Sequence, residues 1–193
     1  KDNIDVEGMP TTAGCPAFSY MPRRSARIVE ILLAEGAICI GKTNMDQFAT
    51  GLTGTRSPYG ICASYFDPRY IAGGSSSGSA VAVAAGQVAF ALGTDSGGSG
   101  RIPAAYNNVV GVKPTIGALS LDGTVPNARL FDCPSIFASN LDDATELRRM
   151  LERTNDRDRL ARQPPVRGYG PVALQGLRVA VPRSEHRTFS GCD

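Results

Sequence analysis

The 193-residue sequence has one histidine, no tryptophan and no apolar run long enough to cross a membrane. A membrane-spanning helix needs about 20 apolar residues, so the sequence predicts no such span. The one histidine, His186, lies in the terminal stretch PRSEHRTF, where we expect a surface residue. No GxSxG motif presents a serine on a strand–turn–helix elbow. These absences make a serine–histidine–aspartate triad a poor hypothesis.

The cysteines show neither a disulfide pattern nor metal-site spacing. There are five of them, none in a CxxC pair, and an odd number without a pairing pattern favours reduced thiols. We therefore expect a cytoplasmic protein with no metal and no cofactor. Cys39 lies in the apolar run AICIG and is predicted to be a core residue. The full set is Cys15, Cys39, Cys62, Cys133 and Cys192.

The composition is that of an ordinary globular protein. Hydrophobic residues make up 42% of the chain and charged residues 20%, with a net charge of +2. This small charge gives no reason to expect nucleic acid or a membrane surface as a partner. We therefore expect neither as a partner.

Apolar periodicity predicts alternating helices and strands. Amphipathic or buried helices are expected at 25–37, 79–86 and 141–154, and short buried strands at 37–41, 87–95, 109–115 and 177–183. Thr43, Asn44 and Asp46 also suit the start of a helix, and 51–71 is predicted to be a long irregular connection. Strands that alternate with helices favour an α/β fold with a mixed β-sheet core covered by helices.

Two loops rich in glycine and serine flank the predicted helix and strand at 79–95. They read GGSSSGSA from Gly73 and GTDSGGSGR from Gly93. Such loops can be tight turns or can bind phosphate through backbone N–H groups, but neither has the P-loop or GxGxxG spacing. Two loops that flank one helix–strand unit are expected to meet at one edge of the sheet, which is a preferred ligand site.

A serine nucleophile at that edge needs a base. With a histidine triad set aside, lysine is the remaining type of base. The ordinary lysine pKa is about 10.4, whereas a useful base has a pKa of about 7–8. Such a lysine must therefore be buried or lie close to another cation.

These blocks, taken with the opening KDNIDV and with GVKPT further on, resemble the amidase signature family in their order. The resemblance runs from Lys1 to about Phe137, with a weaker similarity at 174–183. It implies a Ser–cis-Ser–Lys triad, with Lys1 as the base, Ser75 as the bridging serine and Ser99 as the nucleophile. It also implies that the Gly74–Ser75 peptide bond is cis.

The same resemblance implies supporting roles around the nucleophile. The oxyanion hole would be formed by the backbone N–H groups of Ser96, Gly97, Gly98 and Ser99. Asp95 and Arg101 would pair to hold the loop, and Thr94 would be a further hydrogen-bond partner.

Within this family, the blocks NMDQFATGLTGTRSPYG, GGSSSGSAVAVAAG and RIPAAYNNVVGVKPT resemble allophanate hydrolase in particular. This implies hydrolysis of allophanate in urea degradation, giving ammonia and an N-carboxycarbamate that loses carbon dioxide. It also implies a functional link to urea carboxylase, and we expect a homodimer. Gln47 stands where the amidotransferase relatives have an acidic residue, and TDSGG replaces the TDTAG expected of the subgroup.

Two other functions fit the same sequence. One is a different amidase of this family or the A subunit of a glutamyl-tRNA amidotransferase. The other, from a different class, is a catalytically silent piece or a binding module that keeps the loops as a scaffold.

We expect one partial amidase domain over 1–193, because domains of this family are much longer. Residues 1–155 would form the catalytic core portion, and 156–193 a linker and the start of the second half. Residues that bind the substrate carboxylate are expected beyond Asp193, and the isolated chain is expected to have negligible activity.

Overall fold

A computed structural model of the chain describes residues 1–152, 157–162, 175–176, 178 and 180–181. His186 and Cys192 lie outside these residues, as does most of the predicted strand at 177–183. No helix in the described ranges is long and apolar enough to cross a membrane.

The described strands form one three-stranded antiparallel sheet. Strands β1 (Phe90–Thr94) and β2 (Val110–Val112) both pair with β3 (Pro134–Ala138), which lies between them. In the register, Phe90 and Val110 both face Ala138 of β3. β1 and β2 therefore both finish at the same end of the sheet, and the loop after Thr94 lies at that end.

Helices cover both faces of this sheet, so the predicted architecture of a sheet core covered by helices is confirmed. The helices are α1 (Arg27–Ala34), α2 (Ser77–Ala84), α3 (Arg101–Tyr106) and α4 (Leu141–Leu151). Alternate residues of β3 face opposite sides: Ile136 and Ala138 pack in the core with α1 and α4, and Phe137 packs with α2 and α3.

Local sequence explains where the helices begin and end. Asn140 caps the N-terminus of α4, and its side chain accepts a hydrogen bond from the Asp143 N–H at 2.9 Å. α1 is followed by Gly36, whose φ of +93° suits a helix C-terminus. α2 consists of small residues, and a Cβ at Gly78 would lie 2.6 Å from the Asn44 nitrogen. Small residues thus let α2 pack closely on its neighbours.

Two predicted elements differ from the structure. The run 37–41 is not a strand: Ile38 and Ile40 are 86% and 70% exposed, and Cys39 is only half-buried. The predicted helix after 42 is a single 3₁₀ turn, Gln47–Ala49, because Phe48 and Ala49 have φ of +49° and +58°. Strand β3 and helix α3 were not predicted, since Pro134 opens one and Pro103 lies in the first turn of the other.

Candidate active site

The two glycine- and serine-rich loops meet at the end of β1, as their positions in the sequence predict. The first loop leads into α2 and the second, at 95–100, into α3. The Ser76 N–H donates to the Ser99 carbonyl at 3.3 Å, and Ser76 Oγ donates to the Thr94 carbonyl at 3.1 Å. Ser75 and Ser99 therefore lie on adjoining loops, although they are 24 positions apart.

Lys1 lies between the end of β1 and the first loop. Its Nζ donates to Ser75 Oγ at 2.8 Å and to Thr94 Oγ1 at 2.7 Å, and it lies 3.4 Å from the Thr94 carbonyl oxygen. Only 6% of Lys1 is exposed. The structure thus brings Lys1, Ser75 and Thr94, all predicted site residues, into one hydrogen-bonded group.

The environment of Lys1 gives it the ionisation of a base. Burial lowers its pKa from 10.5 to about 7, against the opposing effect of the carboxylates of Asp46, Asp95 and Asp132. At neutral pH a substantial fraction of Lys1 is therefore unprotonated and able to accept a proton.

The two serines of the predicted triad are both buried. Ser75 is 0% and Ser99 4% exposed. The Gly74–Ser75 peptide bond is cis, as predicted. Within the described part of the chain, no hydrogen bond joins Ser99 Oγ to Ser75 Oγ or to any other group, so the structure places the two serines on adjoining loops without a direct bond between them.

Asp95 and Arg101 form the predicted pair. The Arg101 side chain donates to both carboxylate oxygens of Asp95, at 3.0 and 3.1 Å. Asp95 also accepts from the backbone N–H groups of Gly98, Gly100 and Arg101, at 2.7, 3.0 and 3.2 Å. Burial alone would raise the pKa of Asp95, but these hydrogen bonds hold it below its ordinary value. Asp95 is thus an anion that fixes the shape of the second loop.

This arrangement affects the predicted oxyanion hole. The Gly98 N–H already donates to Asp95 and is not available to a ligand in this conformation. The N–H groups of Ser96, Gly97 and Ser99 have no acceptor among the described residues. These three donors can face a developing negative charge next to Ser99.

Two buried polar residues of this site, Asp132 and Asn3, were not predicted from the sequence. Asp132, 4% exposed, accepts from Ser96 Oγ at 2.5 Å and from the N–H groups of Asn127 and Ala128, both at 2.9 Å. Asn3 Nδ2 donates to Thr94 Oγ1 at 3.1 Å. These side chains are distinguished only by their burial, and no sequence motif shows burial directly.

Among the residues with described positions, no group of three or more histidine, cysteine or acidic side chains could hold a metal ion.

Comparison with known proteins shows which family the chain resembles. The family model "Amidase" matches residues 1–190. The chain is 51% identical over 185 residues to the urea amidolyase of Saccharomyces cerevisiae, covering 95% of this chain and 10% of the relative. It is 45% identical over 187 residues to the A subunit of the glutamyl-tRNA(Gln) amidotransferase of Anaeromyxobacter dehalogenans, covering 95% of this chain and 38% of the relative.

The solved allophanate hydrolase of Kluyveromyces lactis superposes with a TM-score of 0.84 at 52% identity, over 86% of this chain and 27% of that one. The chain therefore spans well under half the length of the relatives that it matches.

Proposed function

This chain belongs to the amidase family, and on that premise we propose that it carries the catalytic residues of a hydrolase acting on linear amide C–N bonds. The observation that carries the proposal is the 2.8 Å contact of Lys1 Nζ with Ser75 Oγ, both buried beside the loop of Ser99. A lysine with its pKa lowered by burial is a suitable general base at neutral pH.

In the proposed reaction, Ser99 attacks the amide carbonyl. Its proton passes to Ser75, whose own proton passes to neutral Lys1. The negative charge on the carbonyl oxygen is stabilised by the free N–H groups of the second loop. When the C–N bond breaks, Lys1 returns the proton through Ser75 to the leaving nitrogen, which departs as neutral ammonia.

The resulting acyl-enzyme is an ester on Ser99. A water molecule then attacks this ester, and its proton follows the same route to Lys1. The return of that proton to Ser99 restores the free enzyme and releases the acid. Every proton taken in the first half of the cycle is thus given back in the second.

We propose allophanate as the substrate. The identity to a urea amidolyase and the structural similarity to an allophanate hydrolase support this choice. Attack at the carbamoyl carbon would release ammonia, and hydrolysis of the resulting acyl-enzyme by water would give N-carboxycarbamate, which loses carbon dioxide. A functional link to urea carboxylase, as the supplier of allophanate, is part of the same proposal.

A role as the glutaminase component of a glutamyl-tRNA(Gln) amidotransferase is the second candidate, since one such relative is 45% identical to this chain. The two functions differ in substrate, so ammonia release from allophanate, glutamine and simple aliphatic amides distinguishes them in the full-length protein. We expect release from allophanate and none from glutamine. Steady glutamine turnover, or transfer of its ammonia to an acceptor, would favour the amidotransferase function. Absence of turnover with every amide would favour the catalytically silent alternative.

The pH dependence of the reaction should follow the ionisation of Lys1. Only neutral Lys1 accepts a proton, so kcat/KM should fall as pH decreases through a midpoint near 7, the pKa that burial gives this lysine. Below the midpoint the loss should approach about tenfold per pH unit. Measurement of kcat/KM from pH 5 to 9 tests this. A profile that stays flat down to pH 5 would show that Lys1 is not the base.

A further inference from the structure

A second buried carboxylate, that of Asp46, lies beside the candidate active site and has no part in the proposed proton transfers. Asp46 is 0% exposed. Its carboxylate accepts from the backbone N–H groups of Arg56, at 2.7 Å, and Gly54, at 3.0 Å. In the described part of the chain no cation forms an ion pair with it, because the Arg56 guanidinium turns away to the Thr50 carbonyl.

The backbone of Asp46 is tied to the bridging serine. The Asp46 N–H donates to the Ser75 carbonyl at 3.1 Å, and the Gly74 N–H donates to the Leu52 carbonyl at 2.8 Å. Segment 51–56, which the carboxylate holds, is therefore also bonded to the turn that carries Ser75.

Glycines pack closely against the carboxylate and against the backbone that it holds. A Cβ at Gly51 would lie 2.5 Å from Asp46 Oδ2, and a Cβ at Gly74 would overlap the same oxygen. Gly54, with φ of +78°, lies so close to the Gly73 carbonyl that its Cβ would be 2.7 Å from that oxygen. Three glycines thus make space for one carboxylate and for the backbone that it holds.

We propose that Asp46 is a positioning residue of the reaction, which holds segment 51–56 with its carboxylate and the Ser75 turn with its backbone N–H. The proposal rests on the proposed function, in which Ser75 passes the proton between Ser99 and Lys1. It extends that function to a residue that contacts neither the substrate nor the reacting atoms.

The charge of Asp46 gives the positioning role an effect that can be measured in the pH profile of kcat/KM as well as in the structure. The charged groups that face Lys1 are Asp46, Asp95 at the end of β1 and Asp132 before β3, and each favours the protonated lysine. Loss of the Asp46 charge should therefore lower the pKa of Lys1 and move the acid limb of the kcat/KM profile to lower pH. A residue that only stabilises the fold would not move that limb.

Two variants in the full-length protein separate charge from position. Asp46→Asn removes the charge and turns an NH₂ group toward one of the two backbone donors. Gly51→Ala keeps the charge but pushes the carboxylate from its place, and no positive φ at Gly51 forbids alanine. Asp142→Asn, at an exposed position in the first turn of α4, is the matched control.

Both Asp46→Asn and Gly51→Ala should lower kcat/KM with allophanate by about tenfold to a hundredfold, the range expected when a reacting group is misplaced. Only Asp46→Asn should move the acid limb to lower pH, and Asp142→Asn should match the wild type. If Asp46→Asn does not fold, Gly51→Ala decides the question. A kcat/KM within twofold of wild type in the folded variant would overturn the proposal.

A second measurement distinguishes failure of the proposed function from failure of the positioning role. If the wild type hydrolyses no amide, hydrogen exchange of the Gly54 and Arg56 amides is measured in wild type and Asp46→Asn instead. Faster exchange of these amides in the variant, with unchanged exchange in α4, supports the positioning role. Equal exchange in both proteins overturns it.

Discussion

Replacement of Ser99 by alanine should abolish the acyl-enzyme and lower kcat by roughly 10⁴- to 10⁶-fold, the range spanned by single members of serine-protease triads. The reason is that the other hydroxyls of the two loops nearest the donors are engaged: Ser75 Oγ accepts from Lys1 Nζ, and Ser96 Oγ donates to Asp132. Rapid-quench mass spectrometry and steady-state ammonia release measure the two effects. KM should change little, since Ser99 Oγ forms its bond to substrate only in the reaction.

Ser77→Ala is the matched control for this variant. Ser77 lies in the first turn of α2, and its buried Oγ has no hydrogen-bond partner among the residues that the structure describes. Loss of that hydroxyl should leave kcat within about twofold of wild type, because removing an unsatisfied buried hydroxyl is nearly neutral. Equal losses in Ser77→Ala and Ser99→Ala would contradict a special role for Ser99.

Replacement of Lys1 by alanine should cost nearly as much as loss of Ser99, on the order of 10³- to 10⁵-fold in kcat. No other lysine is bonded to Ser75 among the described residues, and without a base Ser99 stays protonated. Lys1→Met, which keeps most of the apolar stem, should show the same loss if the amine is what matters. Lys113→Met, at a lysine bonded to the Pro114 carbonyl, is the control and should be near wild type.

The double variant distinguishes a shared mechanism from two independent contributions. Residues that act as one unit are strongly non-additive, so Lys1→Ala with Ser99→Ala should be little worse than either alone. A loss of threefold or less for Lys1→Ala would show that another base operates, and the serine–lysine mechanism would then be wrong.

The sequence predicted the meeting of the two loops better than it predicted the elements around them. That meeting followed from their position on either side of one helix–strand unit. The requirement that a lysine base be buried follows from elementary ionisation chemistry, and Lys1 meets it with 6% exposure. The identities of the proposed reacting residues, by contrast, depended on resemblance to a family, because spacing alone does not assign roles.

The strand predicted at 37–41 shows what periodicity cannot supply. Ile38 and Ile40 have the residue types of a buried strand, yet they line an open apolar groove of about 670 Å³ beside Phe90 and Leu92 of β1. An extended apolar segment becomes a strand only where a partner offers backbone hydrogen bonds. That partner is a property of the tertiary structure and not of the five residues themselves.

The roles of the buried carboxylates were the other feature that the sequence did not predict. Asp46 suited a helix start in the sequence, and Asp132 drew no interpretation, yet both organise the loops by accepting backbone N–H bonds. The structure also explains the serine at position 96, where the subgroup pattern has threonine. Serine and threonine both carry a hydroxyl group, and the hydroxyl of Ser96 donates a hydrogen bond to Asp132.

The central claim is that Ser99 carries the acyl group. Its most direct test is rapid acid quench of the full-length wild-type protein during turnover of allophanate, followed by peptide mapping by mass spectrometry. We expect an adduct on the peptide containing Ser99 whose mass is that of the substrate less ammonia, or less ammonia and carbon dioxide once acid has removed the N-carboxyl group. The adduct should be absent from Ser99→Ala. An adduct on any other residue, or one that persists in Ser99→Ala, would contradict it.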